Sequence, residues 1–245
     1  MTREYVAVDL ETTGLAAYKE RIIEIGAVRM RDGVEVDSFS TLVDPEWELP
    51  ERITELTGIC PEMLVGAPKE EEALEAFLQF AGDSVLLGHN LPFDYSFLKT
   101  ACVRGKKEYE RQGIDTLVYA KKHLADLPSR TLPALCEYYG IDNGTAHRAL
   151  DDARSAALLY ERMREQFGDA KEEQLVYRLK KMEPMTAAQK NYLNDLIKYH
   201  KIICNVSFEK MTKSEAARMI DKIIFQYGRI AGRPQGKRGE DRRSD

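Results

Sequence analysis

Three short stretches of this 245-residue chain place carboxylates where they could act together. The first is Asp9-Leu10-Glu11-Thr12-Thr13-Gly14, which closes an apolar run starting at Glu4. In an extended chain, residues two apart project to the same side, so Asp9 and Glu11 point together while Leu10 faces a core. Two carboxylates held side by side repel unless positive charge lies between them, and a divalent cation is the simplest source. Gly14 lets the backbone turn close to a ligand. A strand that merely ends in a polar turn has the same appearance, so this pair needs support from elsewhere in the chain.

The second stretch is Gly88-His89-Asn90-Leu91-Pro92-Phe93-Asp94, between a strand-like run and a helix. Asn90 suits an N-cap. Asp94 falls in the first turn, where the helix dipole favours an anion. Both placements are equally ordinary at a helix start that performs no chemistry. The third stretch, His147-Arg148-Ala149-Leu150-Asp151-Asp152, opens a long helix. At about 3.6 residues per turn, His147 and Asp152 would flank a small pocket without touching. On this pattern alone Asp151 competes with Asp152, and a surface histidine is the plainer reading of His147.

In this order the three stretches resemble the motifs of the DEDDh-type exonucleases, the family of the proofreading epsilon subunit of bacterial DNA polymerase III. The family motifs are D-x-E-T-T-G, H-N-x-x-F-D and H-x-A-x-x-D. Here they are Asp9, Glu11, Thr12, Thr13 and Gly14; His89, Asn90, Phe93 and Asp94; and His147, Ala149 and Asp152. The last offset selects Asp152 over Asp151. Thr57-Gly58-Ile59 and Asp115-Thr116 match less distinctive family features. The resemblance covers roughly residues 1–167.

The resemblance implies a ribonuclease H-like α/β fold, a mixed five-stranded sheet flanked by helices. It implies 3′→5′ hydrolysis of a single strand to nucleoside monophosphates with two Mg²⁺ or Mn²⁺ ions, since all-oxygen ligands suit these better than zinc. Asp9 would bridge both ions, Glu11 and Asp152 would complete the site holding the attacking water, and Asp94 would support the second ion. His147 would be the general base, a role for which imidazole has a suitable intrinsic pKa. Substrate contacts would come from Thr12, Thr13, Gly14, Leu15, Thr57, His89, Asn90 and Phe93, with Leu15 wedged beneath the last base and Phe93 stacking or packing. The partner would be a DNA or RNA 3′ end, with DNA favoured. Proofreading beside a DNA polymerase or replication machinery, repair and small-RNA trimming all fit. An exoribonuclease is one alternative; a module that grips strand ends without cutting is another.

The elements that must position these residues are legible in outline. Runs at 4–10, 21–31 and 34–43 read as strands, the last two joined by Asp32-Gly33, a hairpin signal. Helical patterns cover Pro50–Leu56, Lys69–Ala81, Pro92–Arg104, Thr131–Tyr139 and Ala146–Gln166, with a buried strand at Ser84–Gly88. Ile114–Leu124 is apolar, then basic. The order gives a mixed sheet with helices packed on it. Residues 1–167 form the candidate exonuclease domain, followed by a charged helical linker at 168–184.

Residues 185–228 form a small helical module. Thr186 is an N-cap, and Thr212 with Glu215 makes a capping box. Its Lys190, Lys198, Lys201, Lys210, Lys213 and Arg218 could meet nucleic acid; capping the main domain or self-association fits equally. Residues 229–245 read as a basic disordered tail.

The 43% hydrophobic content argues against a disordered chain. A net charge of −5 argues against nucleic-acid binding by bulk charge alone, though not against a local basic groove. Cys60, Cys102, Cys136 and Cys204 are too widely spaced for a zinc site or disulfide framework. The N-terminus lacks the pattern of a signal peptide, and no membrane-spanning run is present, so a cytoplasmic location is expected.

Overall fold

A computed structural model describes residues 4–144, 147–179, 183–202 and 211–230. The expected tail therefore lies outside the described residues from 231 onward, as do Cys204 and Lys210. The chain divides into two compact units, Met1–Lys180 and Lys181–Asp245.

The first unit is built on a mixed sheet of six strands, one more than expected: β1 (Glu4–Thr12), β2 (Ile22–Arg31), β3 (Val34–Leu42), β4 (Val85–Gly88), β5 (Gln112–Asp115) and β6 (Glu173–Gln174). Their order is β3-β2-β1-β4-β5-β6. β1, β2 and β3 pair antiparallel, β1–β4 and β4–β5 parallel, and β5–β6 antiparallel. Asp32 and Gly33 both adopt positive φ, 50° and 83°, the turn that matches the strand twist of a tight hairpin.

β1 runs through the middle of the sheet, and its alternation separates two cores. Val6, Val8 and Leu10 pack with α2 (Glu70–Ala81) and α3 (Leu91–Arg104). Tyr5 and Ala7 pack with α4 (Thr116–His123), α5 (Leu132–Tyr139) and α6 (Ala149–Phe167). The same division holds in β2, with Ile25 and Ala27 in the first core and Val28 and Met30 in the second. The short α1 (Glu51–Thr57) contributes Ile53 to a smaller cluster with Ile23 and Ile59.

The Ile114–Leu124 run divides at Asp115, whose carboxylate accepts the N–H groups of Leu117 and Val118 (2.9 and 3.4 Å), ending β5 and starting α4. One expectation about elements needs correction. The expected helical linker is not helical where it is described. Gly168, at φ 87°, ends α6, and the chain then runs extended along the sheet edge as β6. Leu175, only 8% exposed, fills the space beside Gly113, and its N–H donates to the Arg111 carbonyl (2.9 Å). Apolar burial and edge pairing outweigh the helical preference of the charged residues around them.

In the second unit, α7 (Ala187–His200) and α8 (Lys213–Tyr227) pack through Leu193, Leu196, Ala216, Ile220 and Ile223. Thr186 and Thr212 each close a capping box, with Gln189 and Glu215. Among the described residues no helix is long and apolar enough to cross a membrane, and Cys60, Cys102 and Cys136 are free thiols.

Candidate active site

The alternation that sends Tyr5 and Ala7 toward α6 continues along β1, so Asp9 and Glu11 leave the strand on the α6 side. Directly across in β2, Asp9 faces Gly26 and Glu11 faces Glu24. Gly26 is where the start of α6 meets β2. A Cβ built there would lie 2.1 Å from both the Ala149 carbonyl carbon and the Leu150 nitrogen. Only a glycine lets the start of α6 rest on the strand opposite Asp9.

Glu24 fastens that contact. Its side chain is 1% exposed; it accepts the Ala149 N–H (3.1 Å) and the Arg148 guanidinium (2.8 Å from Nη2). It thus satisfies a free N–H at the helix start and places negative charge at the positive end of the dipole. Glu24, Gly26 and the pairing role of Arg148 were not anticipated. A glutamate and a glycine inside the apolar run Ile22–Val28 are the signal that was available.

With α6 fixed, Asp152 in its first turn comes beside Glu11. Ligand atoms of Glu11, Asp152 and His147 all lie within 4.8 Å of one another. Asp151 instead pairs with Arg154 (3.4 Å). His147 is not part of the helix, contrary to the helical spacing assumed above. It precedes the N-cap Arg148 at φ 63°, and its backbone N–H donates to Asp152 Oδ2 (3.1 Å). A left-handed turn, not helical periodicity, brings the imidazole to Glu11.

Asp94 approaches from the other core. It is buried in the first turn of α3, and its Oδ1 accepts the Leu10 N–H (3.1 Å), the link between Asp9 and Glu11. Burial pushes all four carboxyls above their ordinary pKa. For Asp9, repulsion from Asp94, Asp152, Glu11 and Glu24 adds to it. Glu11 is pushed up to about 8, first by burial and then by Asp152 and Glu24. Arg148 opposes that rise, but its guanidinium is engaged by Glu24. This is an oxygen-rich donor set, with one imidazole beside it and little positive charge to balance it, which suits a hard divalent cation.

The expected substrate contacts divide. Leu15 is 85% exposed, and Gly14 is buried in the turn that precedes it. The two threonine hydroxyls hold the turn: Thr12 donates to the Gly14 carbonyl (2.8 Å) and Thr13 to Glu20 (2.8 Å). Thr57 donates to the Ile53 carbonyl (2.9 Å) and accepts from the Ile59 N–H (3.1 Å). Both ring nitrogens of His89 are engaged, with the Thr116 hydroxyl and the Arg130 carbonyl (2.9 Å each). Asn90 occupies the N-cap position, but at φ 69° and without a side-chain cap; its backbone N–H donates to Asp115 (3.0 Å). Phe93 is half-buried and packs on Phe97, with ring centroids 5.1 Å apart.

Comparison with known proteins shows the family and the fold. The family model RNase_T, described as exonuclease, matches residues 6–160. The PolC-type DNA polymerase III of Clostridium perfringens is 43% identical over 154 residues, which are 63% of this chain but 11% of that protein. The DNA polymerase III epsilon subunit of Aquifex aeolicus is 40% identical over 158 residues, 64% of this chain and 78% of that one. Escherichia coli exonuclease I in complex with a dA16 oligonucleotide superposes with a TM-score of 0.61 at 18% identity, over 67% of this chain and 41% of the other. Exonuclease X in complex with 5′-overhanging duplex DNA gives 0.57 at 24% identity, over 68% and 94%. At such identities the structural likeness shows the fold, which is ribonuclease H-like. By the match over residues 6–160 and the likeness to the epsilon subunit, the chain belongs to the RNase_T exonuclease family, as an exonuclease of the DEDDh type.

Proposed function

We propose that this chain removes nucleotides from the 3′ end of a single nucleic-acid strand, DNA in preference to RNA, and releases nucleoside monophosphates. The observation that carries the reading is the convergence of Glu11, Asp152 and His147 within 4.8 Å, with Asp9 and Asp94 in the same electrostatic cluster.

Asp9, Glu11, Asp94 and Asp152 would hold two Mg²⁺ or Mn²⁺ ions, and His147 would act from the rim. When bound, such ions neutralise the phosphate and lower the pKa of water. The carboxylates orient the reacting group between them, and Asp94 keeps the end of β1 in place through the Leu10 N–H. His147 accepts the proton from the attacking water; its exposure lets that proton pass to solvent. Leu15 supports the terminal base. Thr12, Thr13 and Gly14 maintain the turn beneath it. Thr57, His89, Asn90 and Phe93 act through the backbone and side chains they hold in place.

The names of the polymerase III relatives favour a setting beside a DNA polymerase, in replication proofreading. The test compares 5′-labelled single-stranded DNA, duplex DNA and RNA with Mg²⁺. Stepwise shortening of the single-stranded DNA from its unlabelled end is expected, with slower attack on the other two. Release of the label as a mononucleotide would reverse the polarity, and faster loss of the RNA would reassign the substrate.

A further inference from the structure

The C-terminal unit carries side chains that the exonuclease chemistry does not use. Where α7 and α8 end, three rings form a continuous strip. The His200 ring lies 4.8 Å from Tyr199, edge-on at 87°, and 5.6 Å from Tyr227 at 33°. His200 Nε2 is 3.1 Å from the Gly228 carbonyl oxygen, which ties the strip to the end of α8. Tyr199 and Tyr227 are 53% and 48% exposed. The exposed Lys198, Lys201 and Arg229 stand next to them in the chain, and residues 196–202 and 222–230 contain no acid. The asymmetry extends further: residues 185–245 carry 13 Lys/Arg against 7 Asp/Glu, whereas residues 1–184 carry 23 against 34.

We propose that Tyr199, His200 and Tyr227, bracketed by Lys198, Lys201 and Arg229, are a stacking platform for the bases of a single nucleic-acid strand. Aromatic faces combined with basic side chains are how proteins hold single strands without reading sequence. The inference rests on the nucleic-acid substrate proposed above: the platform adds affinity for the strand on which the carboxylate site acts. Phe225, 93% exposed, lies two residues before Tyr227 and so on another side of α8, outside the strip.

The test uses the full chain in EDTA, so that no strand is cut, and reads fluorescence anisotropy. The probes are labelled oligodeoxythymidylate and an abasic strand of equal length. Tyr199→Ala with Tyr227→Ala should weaken the thymidylate complex about tenfold and leave the abasic complex within about twofold. Tyr199→Phe with Tyr227→Phe, and Phe225→Ala, should bind as wild type does. Tyr199→Ala alone, at an exposed position, serves if the double variant melts at a lower temperature. Hydrolysis of a chromogenic thymidine monophosphate ester, which offers one base and no strand, should be unchanged throughout. A double Ala variant that keeps its preference for base-bearing strands overturns the platform. So does an equal loss in Phe225→Ala, or a change of oligomeric state in light scattering. Failure of wild type to hydrolyse the ester with Mg²⁺ would count against the proposed exonuclease function, and the binding comparison would still judge the platform.

Discussion

Replacing Gly26 by alanine tests how the two halves of the site are held together. Gly26 has no positive φ, so the alanine backbone is permitted and the effect comes from contact alone. The new methyl would stand 2.1 Å from the Ala149 carbonyl carbon and the Leu150 nitrogen, and 2.4 Å from the Ala149 oxygen. Non-bonded atoms settle at about 3.5 Å or more, so the start of α6 must retreat by roughly 1.4 Å. These are backbone atoms, and no side-chain rotation can relieve them. The retreat carries Asp152 and His147 away from Asp9 and Glu11. A misplacement of about 1 Å in a catalytic array lowers the rate about 100-fold, and overpacking of this kind destabilises by about 1–3 kcal/mol. The assay pairs kcat for nucleotide release with thermal denaturation of the same preparation. Gly26→Ala should remain folded, with a lower Tm and kcat reduced about two orders of magnitude. A folded variant within threefold of wild-type kcat would refute the reasoning, because α6 would then not need its present seat.

Further outcomes follow from the same geometry. Glu24→Ala removes the acceptor of both the Ala149 N–H and the Arg148 guanidinium. Because Arg148 keeps some access to water, the loss in urea denaturation should be about 2 kcal/mol, with kcat falling as well; unchanged stability would remove Glu24 from its anchoring role. His147→Ala should slow turnover about 100-fold or more while Mn²⁺ binding measured by calorimetry persists, whereas lost Mn²⁺ binding would make His147 a ligand and not the base. Glu11, whose ordinary value of 4.5 is pushed up to about 8, takes up a proton on folding in the metal-free protein. Its contribution therefore falls as pH rises from about 4.5 to about 8 and is level above that. Cations displace that proton, so the rise in Tm produced by Mg²⁺ should be larger at pH 8 than at pH 6; an equal or smaller rise at pH 8 contradicts this.

How much of this was legible beforehand depended on how local the determining interactions are. Asp9 and Glu11 emerge on one side of β1 because strand alternation is fixed by neighbouring residues. The Asp32-Gly33 hairpin likewise follows from two residues. The alignment of motif spacings separated Asp152 from Asp151, which composition and periodicity could not do. His147 resisted for a physical reason: its position depends on a left-handed turn held by Asp152, and a periodicity argument assumes a helix there. Asn90 looked like a cap because its residue type is common in caps, but the Asp115 carboxylate 25 residues away takes its backbone N–H instead. Glu24 and Arg148 meet across 124 residues, and β6 forms because Leu175 finds a space beside Gly113. Such contacts exist only once the sheet is assembled.

The most direct measurement is nucleotide release from a 5′-labelled single strand over a Mg²⁺ titration, with wild type and Asp9→Ala side by side. Wild type should be silent in EDTA and gain activity with Mg²⁺, while the variant keeps its circular dichroism spectrum and releases nothing at any concentration. Turnover by Asp9→Ala within severalfold of wild type, or full wild-type activity in EDTA, would contradict a cation-dependent carboxylate centre at the end of β1.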